Sequence, residues 1–171
     1  YSSAASDVYK RQTILCATGL LAFVLSGPNA YGQSALPLVF QDDFSDGSAR
    51  WETTDAGSWT LTNKDGRSAW GINKRKSDYQ PKVRSPLNIA LVQDLNLTVT
   101  IIEFDVQSTR DTGNHRDCCV FFQYQDPEHF YYVHLGAKPD PHSGQIMIVD
   151  GAPRRALTTN KNPVPWDDQW H

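Results

Sequence analysis

Glu103, Asp105 and Gln107 recur at every second position of the segment LTVTIIEFDVQS at 97 to 108, so in a strand they share one face. Carboxyl groups so placed are the raw material of glycoside hydrolysis, where retaining chemistry needs a pair about 5 to 5.5 Å apart with one of them protonated. The third position is an amide, which neither donates a proton as an acid nor takes one as a base, so the stripe lacks the group that hydrolysis most needs. A second set, Arg84, Gln123, Tyr132 and His134, holds the groups for β-elimination from a uronic acid sugar: a cation to neutralise the carboxylate and a Tyr or His to move the proton. With Arg116 from the polar segment 109 to 117, the same side chains equally suit binding without turnover. Tyrosine packs on the C–H face of a sugar, Gln and His bond hydroxyls, and the arginines hold anionic groups. The competing structural reading covers Tyr132 and Phe121 with a loop and makes His134 a hydrogen-bonded interior histidine.

Metal chemistry finds less support. His115, His129, His134, His142 and His171 show no H-x-H or H-x-x-x-H spacing, so no zinc site is expected. Asp42, Asp43, Asp46, Asp167 and Asp168 are oxygen donors near two ends of the chain and leave a structural calcium ion open, without an EF-hand loop; no other cofactor is expected. Cys118 and Cys119 are adjacent, so in a strand they point to opposite faces and form no disulfide framework. They read as buried small hydrophobes or half-exposed thiols.

The elements that must position these side chains are strands. No stretch of ten or more residues beyond position 32 carries apolar groups at helical spacing, whereas short runs rich in Val, Ile, Thr and aromatics recur between turn clusters. The expected strands are 36–41, 58–63, 68–72, 83–90, 97–108, 117–125, 129–135 and 145–150. Turn signals separate them: Ser45-Asp46-Gly47, Asp65-Gly66, Thr112-Gly113-Asn114, Asp126-Pro127 and Asp150-Gly151. Eight short strands predict an all-β, antiparallel two-sheet jelly-roll sandwich. If Asp126 to His129 form the hairpin loop, Gln125 opposes Phe130. Val120, Phe122, Tyr124, Tyr131, Val133 and Leu135 then share the core face, and Cys119, Phe121, Gln123, Tyr132 and His134 the ligand face.

Composition and the ends bound the rest. The 171 residues carry a formal net charge of −3, and Lys74-Arg75-Lys76 is a short basic run suited to a solvated loop, so no nucleic-acid partner is expected. Residues 1–12, YSSAASDVYKRQ, resemble translated sequencing-adapter read-through. Residues 13–32, with Lys10 and Arg11 ahead of them, have the order of a secretory signal whose cut falls before Gln33. Its apolar run of 12 residues falls below the roughly 18 to 20 that a membrane span requires, so no span is expected once the signal is removed. Residues 36–171 then form one domain in a secreted or periplasmic setting.

FQDDFSDGSARWE, GSWTL, PKVRSPLNIAL, FFQYQDPEHFYYVHL and the terminal WDDQWH together resemble the secreted laminin G-like, concanavalin A-like jelly-roll domains of environmental, planctomycete-type bacteria, over roughly Phe40 to His171. The resemblance implies an architecture related to the 3-keto-disaccharide hydrolase-like domain. It also implies further strands after the W-H segment, hence a domain incomplete at its C-terminus. Within that superfold, EFDVQ is similar to the E-x-D-x-E strand of β-glucanases but departs at Gln107. VRSP and QIMIV match only partly the R-x-E-x-R and Q-x-H strands of polysaccharide lyases. Because the superfold hosts many activities, the function rests on the site. The expectation is a carbohydrate-binding domain that takes a polysaccharide or glycoconjugate on its concave sheet through Arg84, Arg116, Gln123, Tyr132 and His134. A glycoside hydrolase or lyase using the same groove is one alternative, and a structural or adhesive module is another.

Overall fold

The computed structural model of the chain describes residues 36–74 and 76–171. The adapter-like segment and the expected secretory signal lie outside the described residues.

The chain is all-β and antiparallel. Its strands are β1 (Trp51–Thr53), β2 (Trp59–Lys64), β3 (Arg67–Ile72), β4 (Ala90–Val92), β5 (Asp117–Asp126), β6 (His129–Gly136), β7 (Gln145–Asp150) and β8 (Arg155–Ala156), and the described residues contain two single 3-10 turns besides. They form three sheets: β1 with β4, β2 with β3, and the four-stranded order β5-β6-β7-β8. The β2–β3 hairpin turns on Asp65 and Gly66, whose φ angles of 55° and 76° are the left-handed pair that a two-residue hairpin needs.

Three expected strands need revision. The 36–41 segment is extended but unpaired, with Leu38 78% exposed. The 83–90 run becomes a strand only from Ala90, since Pro86 has no N–H to donate to a ladder. The 97–108 segment bends at Thr98 and Val99, forms no strand and joins the rest at its end, through the Gln107–Trp170 bridge and a reciprocal pair of 3.0 Å hydrogen bonds between Val106 and His171. The β5–β6 hairpin also changes register. Asp126 opposes His129 as the loop predicts, but Phe122 then faces Tyr131, two positions away from the expected pairing, across a bulge. Gln123, at φ 49°, lies in the 123–125 stretch that takes up the two extra residues.

Two apolar clusters share one spine. Ile89 and Leu91 pack with Phe121, Tyr124, Phe130, Tyr132, Met147 and Val149, whereas the alternating Ala90 and Val92 pack with Phe44 and Trp51. A strand buried on both faces reads as a continuous apolar run, which IALV at 89 to 92 is. Burying each such large side chain stabilises the fold by about 1.5–3 kcal/mol. Ile102 flanks the second cluster, on the opposite side of the alternation from Glu103, Asp105 and Gln107. Phe40, Trp59 and Trp70 extend that cluster into an aromatic stack, with the Trp59 and Trp70 rings 5.0 Å apart.

Two carboxylates tie loops to this frame. Asp42, one of the expected calcium donors, is buried; it accepts from Trp51 Nε1 at 2.8 Å and Phe44 N at 2.9 Å and pairs with Arg50 at 3.0 Å. Asp55 caps the turn at Ala56–Ser58, accepting from Gly57 N, Ser58 Oγ, Ser77 Oγ and Asp78 N, with Lys74 Nζ 3.2 Å away. These donors, led by the Asp78 amide, hold its carboxyl far below the usual carboxylate range.

Candidate functional site

The two faces of the four-stranded sheet differ in what covers them. Along β6 burial alternates without exception: Phe130, Tyr132, His134 and Gly136 are buried, and the residues between them are half-buried. The buried set lies on the inner face, beneath Val83, Ile89 and Leu91. The face expected to receive ligand is therefore the one that packs into the core, and the face expected to be core is the outer one. The alternation is read correctly, but both faces of β5, β6 and β7 are apolar, so the pattern alone does not say which one the 83–92 segment covers. The bulge at Gln123 also moves Tyr124 inward, where its ring stacks on Phe130 at 5.2 Å.

The outer face is ordered by the register. One row runs Phe122, Tyr131, Ile148, Arg155, and the next runs Val120, Val133, Ile146. Phe122 and Tyr131 stack across the strands, centroids 5.7 Å apart and planes 22° from parallel, and both rings are half-exposed. Beside them the segment after β8 runs along the sheet, held by Leu157 N to Ile146 O at 2.8 Å, Ile146 N to Thr158 Oγ1 at 3.2 Å and Asn162 N to Gly144 O at 3.0 Å. Gly144 has φ 69°, and a β-carbon there would stand 2.9 Å from the Asn162 carbonyl, so only glycine lets the two backbones approach. Between this segment and the sheet lies an open pocket of about 470 Å³. Val133, Leu135, Ile146 and Leu157 give it apolar walls, and Thr158, Thr159, Asn160 and Asn162 give it hydroxyl and amide groups.

Of the five expected site residues, Tyr132 and His134 are neighbours with Arg84 near the tyrosine hydroxyl, whereas Arg116 and Gln123 lie apart. Tyr132 has no exposed surface and packs between Phe121 and Phe130. Burial pushes its hydroxyl up to about 12, against the pull of Arg154. His134 is buried next to it; its Nδ1–H donates to the His142 carbonyl, and its Nε2 lies 3.5 Å from Asp117. Both rings therefore have the interior placement that the structural reading described, although His134 also borders the pocket. Arg116 binds the carbonyls of Arg110 at 3.0 Å and Trp166 at 3.3 Å, which fastens the 109–116 loop to the C-terminal segment. Gln123 occupies the bulge at the far end of the hairpin. Arg84 is exposed on the segment that covers the inner face.

Asp105 is engaged by Arg67 at 2.7 Å. The described residues hold no group of three or more His, Cys, Asp or Glu placed to share a metal. Cys118 and Cys119 are free thiols, and burial pushes the first up to about 12 and the second well above its ordinary value. No helix among the described residues is long and apolar enough to cross a membrane.

Sequence reasoning missed Phe122, Tyr131 and Leu157 as surface groups. Comparisons with protein families, with curated proteins and with solved structures find no match for this chain.

Proposed function

We propose that the protein is a secreted carbohydrate-binding domain that takes a polysaccharide on the outer face of the four-stranded sheet, within a laminin G-like jelly-roll architecture. The observation that carries this reading is the partly exposed Phe122–Tyr131 pair, two stacked rings in line with Arg155 and next to the Thr- and Asn-rimmed pocket. Sugar C–H faces pack on such rings, and neutral amides and hydroxyls bond sugar hydroxyls without the desolvation that charged groups demand. Neither retaining hydrolysis nor elimination draws comparable support. Asp105 already pairs with Arg67, and Tyr132 and His134 are packed in the core.

The test is a glycan array followed by affinity measurement on Phe122→Ala and Tyr131→Ala. Each variant is expected to keep its fold and to lose affinity about tenfold, the loss of roughly one aromatic contact. Glycan binding that is indifferent to both substitutions overturns the outer-face assignment. Binding of a protein instead of any glycan favours the adhesive alternative.

A further inference from the structure

The β8 edge of the inner face carries two cations without a counter-ion. Arg154 immediately precedes β8, two positions from Ala156 and so on the same face, and its N–H donates to the Arg84 carbonyl at 2.9 Å, which sets the two residues side by side. Arg84 is exposed and Arg154 half-buried, and neither forms an ion pair among the described residues, whereas Arg50, Arg67 and Arg116 each do. Two polar groups at this place also lack a hydrogen-bond partner of normal geometry, Arg154 Nε and the Tyr132 hydroxyl, although the Arg154 side chain comes close enough to that hydroxyl to lower its pKa against burial. The second belongs to a side chain with no exposed surface, and it feels the charges of both arginines. The other titratable neighbour, Cys119, is kept neutral by burial, so nothing anionic among these groups answers the arginines. Buried donors are normally paired, and adjacent guanidinium groups repel unless an acceptor lies between them.

We propose that Arg84 and Arg154 clamp an oxyanion, a sulfate, phosphate or carboxylate group, over the Tyr132 hydroxyl. Guanidinium forks match such groups in geometry, and charge-assisted bonds to one anion join two cations that otherwise oppose each other. The group is carried by an acidic glycan or arrives as a free ion; its chemistry is the same. This site is separate from the outer face, so indifference to Phe122→Ala leaves it standing.

The experiment is a thermal melt of the protein in sodium sulfate against sodium chloride at equal ionic strength. Sulfate is expected to raise Tm saturably, by about 4 °C at ten times its Kd. The specific rise is expected to vanish in Arg84→Ala and Arg154→Met and to persist in Lys64→Ala, an exposed charge in the β2–β3 hairpin. Because Arg84 is exposed, Arg84→Ala decides the matter even if Arg154→Met fails to fold. Equal responses to the two salts, or a sulfate response retained in Arg84→Ala, overturn the proposal. Chondroitin with and without sulfate then separates the sources. A preference for the sulfated chain that Arg84→Ala abolishes assigns the anion to a glycan. No preference, with the sulfate response intact, assigns it to a free ion, and both outcomes support the clamp.

Discussion

Tyr132 and Asp55 show how one side chain serves the frame. Tyr132 fills the centre of the first cluster, so Tyr132→Ala is expected to cost about 3–5 kcal/mol, the usual loss on emptying a large aromatic site. Tyr132→Phe removes only a hydroxyl that has no hydrogen-bond partner and is expected to stay within about 1 kcal/mol of the parent in urea unfolding. A large loss in Tyr132→Phe would show that the hydroxyl is bonded after all. For Asp55 the sign follows from its lowered pKa: the folded state holds the charged form, while an unfolded carboxyl titrates near pH 4. Its contribution is full above that pH and declines as the pH falls below it. Asp55→Asn is expected to lower Tm at pH 7 and to flatten the acid limb of a Tm-against-pH curve; an unchanged acid limb refutes this account.

At the scale of the element, the β5–β6 hairpin was legible in its turn but not in its register. Asp126-Pro127-Glu128 is a local signal: Asp126 Oδ1 accepts the Glu128 N–H at 2.7 Å, and the same carboxylate lies 2.9 Å from His129 Nδ1. The bulge leaves no comparable mark, because glutamine has no preference for the left-handed conformation that Gln123 adopts. What holds it there is the reward of moving Tyr124 into the core. Gln123→Gly is therefore expected to raise stability by up to about 1 kcal/mol, and Gln123→Val to lower it by at least as much, read as shifts in the denaturation midpoint. If both variants matched the parent, the strain would have to be borne by another residue. The 97–108 segment illustrates the other limit. Its alternation separates Ile102, which packs against a core cluster, from the Glu103-Asp105-Gln107 stripe, but alternation cannot show whether a neighbouring strand is present to pair with it.

Over the whole molecule, the 89–92 spine makes two clusters one cooperative unit. Leu91→Ala is expected to cost about 2–5 kcal/mol and to lower both clusters together. Tryptophan fluorescence reports the cluster around Trp51, and near-ultraviolet circular dichroism of the tyrosines reports the other; the two melting curves are expected to coincide. Separate transitions would contradict a shared spine. The sequence by itself determined the all-β character, the β2–β3 turn, the approximate spans of β5, β6 and β7, and the alternation of faces along β6, because backbone geometry and local turn bonds act within a few residues. Only the tertiary structure decided which face of the four-stranded sheet is buried. A sheet apolar on both sides satisfies the alternation rule either way, and the choice falls to a segment some thirty to sixty residues away that covers one face and leaves Phe122 and Tyr131 on the other.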